Sequence, residues 1–185
     1  RPQGFGAEEL ALMKRAGLYA LELGTDAASD RTLAGICKKI SFDEVIKVNQ
    51  ACLEKRLPAA QFIMFGGPAE NETTLAEGLD NIDQLGISAV FAFSGIRIHP
   101  EAPLHQRAID DGVITADTDL LKPVYYFSPL LDRQKMEETI EKRFNGSANR
   151  IFPPNEGLKR MAVMREFGYT GLMWDRLVRF PKQRG

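Results

Sequence analysis

Ala59-Ala60-Gln61-Phe62-Ile63-Met64-Phe65-Gly66-Gly67-Pro68-Ala69-Glu70 is the stretch on which the fold turns. Its first seven residues are apolar except Gln61 and show no polar alternation, the pattern of a strand in a parallel sheet covered by helices. The glycines permit a tight turn. Leu75, Leu79, Ile82 and Leu85 then repeat at helical spacing, and Gly86 stops them. Strand, turn and helix form one βα unit. Downstream, Ile87-Ser88-Ala89-Val90-Phe91-Ala92-Phe93 reads as the next strand. Upstream, Leu18-Tyr19-Ala20-Leu21-Glu22-Leu23 reads as the preceding one, and Leu10, Met13 and Ala16 line a helix before it. Ser41-Phe42-Asp43-Glu44 is a capping box opening a helix that continues through Val45, Val48 and Cys52. The fold class is therefore α/β. Right-handed connections predict parallel strands in the order 18–23, 59–65, 87–93, with helices on one face only.

The rest is less regular. Pro123-Val124-Tyr125-Tyr126-Phe127 reads as a strand or an extended loop. Asp132 suits the cap of a helix with Met136, Ile140 and Phe144 inward, and Glu138 and Lys142 are spaced to pair on its outer face. Asn155 suits the cap of a further helix bearing Leu158, Met161 and Met164, after the stiff Pro153-Pro154 pair. A basic tail from Phe180 to Gly185 is expected to fray.

The chain has 185 residues, 44% hydrophobic and 26% charged, with 24 Lys+Arg against 25 Asp+Glu. These values suit a globular domain with its own core. They offer no basic surplus for nucleic acid. No apolar run is long enough to span a bilayer, and the polar, glycine-rich opening does not read as a signal peptide. Two cysteines exclude a disulfide scaffold and a four-cysteine metal site within the chain, and point to a reducing, cytoplasmic setting.

Ligands of parallel α/β folds sit at the C-terminal ends of strands. Three loops are expected there. The first carries Glu22, Thr25 and Ser29, able to meet ribose hydroxyls or an ammonium, or else to pair with a base and cap a helix. The second is the Gly66-Gly67 turn, open to a polar ligand or simply a tight turn, and lacking the lysine of a P-loop. The third holds Arg97 and His99. Arg97 suits a carboxylate clamp, or a structural bridge to Glu22 or Glu101. His99 and His105 are six apart, wrong for a metal pair on one helical face. Cys37 and Cys52 read as small buried hydrophobes, Trp174 as packing, and Tyr125 and Tyr126 as packing or pocket lining.

Three of these segments, taken in order, resemble those of radical S-adenosylmethionine enzymes. Leu21-Glu22-Leu23-Gly24-Thr25-Asp26 with Ser29-Asp30-Arg31-Thr32-Leu33 resembles the family's fourth-strand segment. Phe62 through Glu70 with Glu72-Thr73-Thr74-Leu75 resembles the fifth. Gly95-Ile96-Arg97-Ile98-His99-Pro100-Glu101-Ala102-Pro103-Leu104 is similar to the stretch after the sixth. Pro123 through Pro129 is similar to a continuation found in the cobalamin-binding-domain branch. Ala69, Ala102 and His99 depart from the usual Gly, Thr and Tyr. The family's CxxxCxxC motif is not in this chain.

The resemblance implies half of a parallel (β/α) TIM-like partial barrel plus C-terminal helices. Residues 1–115 would be the C-terminal half of the barrel and 116–185 a helical extension. The cluster-bearing N-terminal half would lie outside the chain, consistent with a start at Arg1-Pro2-Gln3 without Met. The implied cofactors of the parent are S-adenosylmethionine and a 4Fe-4S cluster, with cobalamin in this branch. Two cysteines fall short of the three thiolates the cluster takes. By resemblance, Glu22, Thr25 and Ser29 face the ribose or methionine part of S-adenosylmethionine. Gly66 and Gly67 allow its close approach, Phe65 and Ile98 flank the adenine, and Arg97 addresses a carboxylate. The partners implied are a small-molecule substrate, the missing half, and a second copy through the open edge of strand 18–23, unless the helix at Glu8 to Ala16 covers it. Two other readings fit the residues: a small non-catalytic α/β binding module, and an α/β enzyme binding a phosphorylated ligand at Gly66-Gly67.

Overall fold

The computed structural model describes residues 6–181. The unusual opening at Arg1 and the end of the basic tail lie outside the described residues. The chain begins with α1 (Ala7–Arg15), β1 (Leu21–Asp26), α2 (Asp30–Gly35), α3 (Phe42–Glu54), β2 (Ala59–Phe65), α4 (Glu72–Asp83) and β3 (Ala89–Ser94). It continues with β4 (Ile96–Arg97), α5 (Pro103–Asp110), β5 (Tyr125–Tyr126), α6 (Arg133–Phe144), β6 (Arg150–Ile151) and α7 (Pro154–Glu166), and a 3₁₀ turn spans Trp174–Leu177.

The main sheet has the order β1-β2-β3-β6, and every pair in it is parallel. The three expected strands lie in the expected order. The fourth, β6, was not expected, because two paired residues carry no periodic signal. Strand β1 begins three residues later than its apolar run. Leu21 N–H donates to Pro58 C=O at 2.9 Å, and Leu21 aligns with Ala59, so the ladder starts only where β2 can pair with it. Pro123 through Phe127 resolves into β5, which pairs antiparallel with β4 in a separate two-stranded sheet.

Period-two alternation divides the main sheet. Ile63, Phe65, Val90 and Ala92 pack with Leu33 of α2, Val45 of α3, Leu79 of α4 and Ile140 of α6. Leu10 of α1 joins Leu23, Val48 and Cys52 beside them. The opposite, inner face carries Ala60, Phe62, Ala89, Phe91 and Phe93. Helices on one face only is not what the structure has. Trp174 and Val178 pack onto the inner face, and Gly157 of α7 lies against Phe91 and Ile151. The N-terminal part of that face is too apolar to stay wet, and the returning chain covers it.

Local signals held where they were self-contained. Ser41 Oγ accepts from Glu44 N–H while Glu44 Oε2 accepts from Ser41 N–H at 2.8 Å. Asp132 Oδ1 caps α6, whose Met136, Ile140 and Phe144 are buried. Glu138 accepts from Gln134 at 2.8 Å instead of pairing with Lys142. Pro153, not Asn155, stands at the N-cap of α7, since Pro154 suits a first helical turn. Leu158 is exposed, and Gly157 is the buried residue of that helix. Among the described residues no helix is long and apolar enough to cross a membrane.

Candidate functional site

The C-terminal ends of β1, β2 and β3 open onto two adjoining cavities of about 500 and 600 Å³. Both sizes fall in the range of small-molecule sites. Asp26, Met64 and Arg97 line both and form the partition between them. The outer lobe adds Ile36, Cys37, Ile96 and Leu104. The aromatic lobe adds Phe62, Phe93, Tyr125, Phe152 and Glu137.

Asp26 ends β1 at a break in register, with φ of 70°, and is ion-paired with Lys38. The Arg97 side chain is exposed and has no hydrogen bond or ion pair among the described residues, so the structural bridge to Glu22 or Glu101 does not form. A guanidinium left unpaired at a cavity mouth is a ready anchor for a carboxylate.

The Gly66-Gly67 turn is spoken for. Glu70 folds back so that its Oε2 accepts from Gly66 N–H at 2.5 Å and Gly67 N–H at 3.1 Å. These amides are the donors a phosphate would need, and an internal carboxylate already holds them. The phosphorylated-ligand reading fails at that turn. Gly66 has φ of +85° and Gly95 of +80°, and the Phe127 ring packs on both so closely that a Cβ on Gly95 would come within 2.6 Å of it. Ser128 N–H donates to Gly66 C=O at 2.8 Å, and its Oγ to Glu70 C=O at 2.7 Å. The segment after β5 thus latches the turns after β2 and β3. Burial pushes the Glu70 carboxyl up to about 7, against the two backbone donors that lower it.

Several residues expected at the site serve the fold instead. Glu22 lies near the start of β1 and accepts from Trp174 Nε1–H at 2.7 Å. Thr25 is fully buried and donates to Gln61 Oε1 at 2.5 Å, because odd-numbered residues of β1 face the helices. Ser29 caps α2. Phe65 belongs to the core under α2–α4, and Ile98 to a cluster with Ala108, Ile114 and Tyr126. Tyr126 is buried, and its hydroxyl donates to Asp111 at 2.6 Å. Tyr125, by contrast, lines the aromatic lobe. Cys52 is buried, its thiol pushed up to about 11. Cys37 is exposed, in the turn after α2 with φ of 59°, and lines the outer lobe. Asp26, Ser94 and Glu137 were not singled out. Alternation along β1 could have flagged Asp26, but nothing local marks Glu137, which arrives from a helix 43 residues beyond Ser94.

No family model and no curated protein sequence matches the chain. Solved structures do. The radical S-adenosylmethionine methyltransferase TsrM from Kitasatospora setae, with cobalamin and a 4Fe-4S cluster bound, superposes with a TM-score of 0.75 at 20% identity. The chain shares the fold of part of TsrM. The superposition covers 95% of this chain and 41% of TsrM, so it takes in most of the segment after β6 that covers the inner face. A second TsrM structure, with tryptophan substrate and the analogue aza-SAM bound, gives 0.72 at 19% identity over 95% of this chain and 43% of that one.

Proposed function

We propose that the chain is part of a radical S-adenosylmethionine enzyme, its outer lobe taking S-adenosylmethionine and its aromatic lobe a small substrate. Arg97 carries the reading: an unpaired cation on the partition of a two-lobed cavity at strand C-termini, in a fold shared with TsrM. The residues present suit the nucleoside. Met64, Ile96 and Leu104 give apolar walls for a purine, and Arg97 a partner for the methionine carboxylate. Asp26, oriented by Lys38, is placed to accept from hydroxyl or ammonium groups. When cleaved at a reduced iron–sulfur cluster, S-adenosylmethionine supplies a deoxyadenosyl radical. What this chain adds is binding, orientation and shielding from water.

The residues do not suit the cluster itself. Cys52 is sealed in the core, Cys37 stands alone at the cavity, and no group of three ligating side chains exists among the described residues. The aromatic lobe, lined by Phe62, Phe93 and Phe152, is left for the small substrate.

Isothermal titration with S-adenosylmethionine tests the reading. Wild-type chain is expected to bind saturably, and Arg97→Ala to weaken binding by about 2 kcal/mol, the loss of one charge-assisted contact. Glu22→Ala should leave affinity unchanged and lower the melting temperature, since it strands the Trp174 N–H. No saturable binding, or normal binding by Arg97→Ala, overturns it.

A further inference from the structure

The aromatic lobe holds a carboxylate that the role given to Arg97 does not use. Glu137 reaches from α6 to the end of β3, where Ser94 Oγ donates to its Oε1 at 2.5 Å and Arg133 Nε–H to the same oxygen at 2.8 Å. Arg133 is itself seated on the Phe127 ring, 4.3 Å from its centroid. Burial opposes ionisation of Glu137, but the bonds from Ser94 and Arg133 and the Arg133 charge outweigh it and hold the carboxyl below the usual range. The second oxygen, Oε2, accepts nothing among the described residues. Glu141, one helical turn on, lines the same lobe without a side-chain partner among them.

Phe62 and Phe93 line the lobe with centroids 6.3 Å apart and planes inclined by 24°, and Phe62 also stacks on Phe91 at 5.2 Å. Phe62 and Phe93 are half-buried, so their apolar surface is available to a ligand. Fixed aromatic surface beside a fixed anion selects for positive charge on an apolar body, and aromatic faces add their own attraction for cations. The other charges at the lobe are Asp26, engaged by Lys38, and the guanidinium groups of Arg97 and Arg133.

We propose that the aromatic lobe binds a protonated amine carried on a flat apolar body, with Glu137 as its counter-anion. This names the class of the second ligand and rests on the reading above only for its biological use. Glu137 Oε2 takes the ammonium while Phe62, Phe93 and Phe152 take the body. Ser94 and Arg133 are positioning residues: they occupy Oε1 and so aim Oε2.

The full chain is titrated at neutral pH with phenethylamine, 3-phenylpropionate and 2-phenylethanol, with binding followed by ligand-observed NMR and no S-adenosylmethionine present. Phenethylamine is expected to bind about tenfold more tightly than either analogue, as one charge-assisted contact allows. Glu137→Gln should abolish that preference, and Glu137→Asp, which keeps the charge, should retain part of it. Equal binding of the three probes, preference for 3-phenylpropionate, or no binding by any at millimolar concentration overturns the proposal. So does a preference that survives Glu137→Gln, or equal losses in the Gln and Asp variants, which would assign the effect to packing. Because S-adenosylmethionine is absent, failure here leaves the titration of Arg97→Ala standing, and the reverse holds too.

Discussion

Glu70 shows how one residue can be read for the wrong chemistry. Its glycine neighbours suggest a ligand turn, yet its carboxylate occupies their amides and is nearly sealed from solvent. Burial raises its pKa from 4.5 to about 7, so between those values the folded state holds a proton that the unfolded state has released. Its contribution to stability is therefore fully present below pH 4.5 and is lost as pH rises through about 7. The loss totals about 3 kcal/mol at about 1.4 kcal/mol per unit. Urea denaturation from pH 5 to 8 should show wild-type stability falling across this window. Glu70→Gln, which keeps an acceptor for the two amides and cannot ionise, should flatten the slope. An unchanged slope in the variant would assign the titration elsewhere.

Among the elements, β6 is held by the side chains of Asn149, just before it, and Arg150, within it. Its two residues pair with Val90 and Phe91. Arg150 reaches from it through the core to donate to Ser88 C=O at 2.7 Å and to Ile82 and Gly86 C=O at 3.0 Å each. Those carbonyls end α4 and form its turn into β3, so one guanidinium ties the fourth strand to the third βα unit. Burial lowers its pKa from the ordinary arginine value, with the Asp83 charge acting against that. Arg150→Met keeps the packing volume but removes three hydrogen bonds from a charged donor, and is expected to cost about 3 kcal/mol in chemical denaturation. A cost under about 0.5 kcal/mol would show that the strand is held without that guanidinium.

At the scale of the whole molecule, the sheet is open at both ends. Among the described residues β1 has β2 as its one neighbour in the sheet, and β6 has β3. Helix α1 packs on the helical layer beside β1, and among the described residues no strand pairs with the outer edge of β1. Leu10 of α1 packs on Leu23, so the apolar face expected to lie bare is covered there. The inner face stays open beside Phe62 and Phe93. An unpaired edge next to apolar surface invites pairing with another chain, and we propose that this chain self-associates through it. Sedimentation velocity over a concentration series should show a sedimentation coefficient that rises with concentration. A strict monomer at every concentration would overturn this.

The elements most fully legible in the sequence were those with local causes. Strand β2 is apolar over its whole length, the Ser41 box needs only residues three apart, and the stripe of α6 repeats every turn; each appears where the pattern put it. Strand order followed from the handedness of βα connections. What depends on a distant partner was not legible. Strand β1 starts where β2 permits, Thr25 turns to the helices because register assigns its face, and β6 exists because Arg150 and Val90 bring it to β3. Of the site, Arg97 could be named from its loop, but whether it was free or bridged could not. Glu137 meets Ser94 only after the chain has returned from α5 and β5. A cap such as that of Ser41 or Asp132 joins groups three residues apart, so covalent spacing brings them together and the sequence carries the signal. A side chain's face, its burial and its free oxygen depend on what packs against it, and only the tertiary structure decides that.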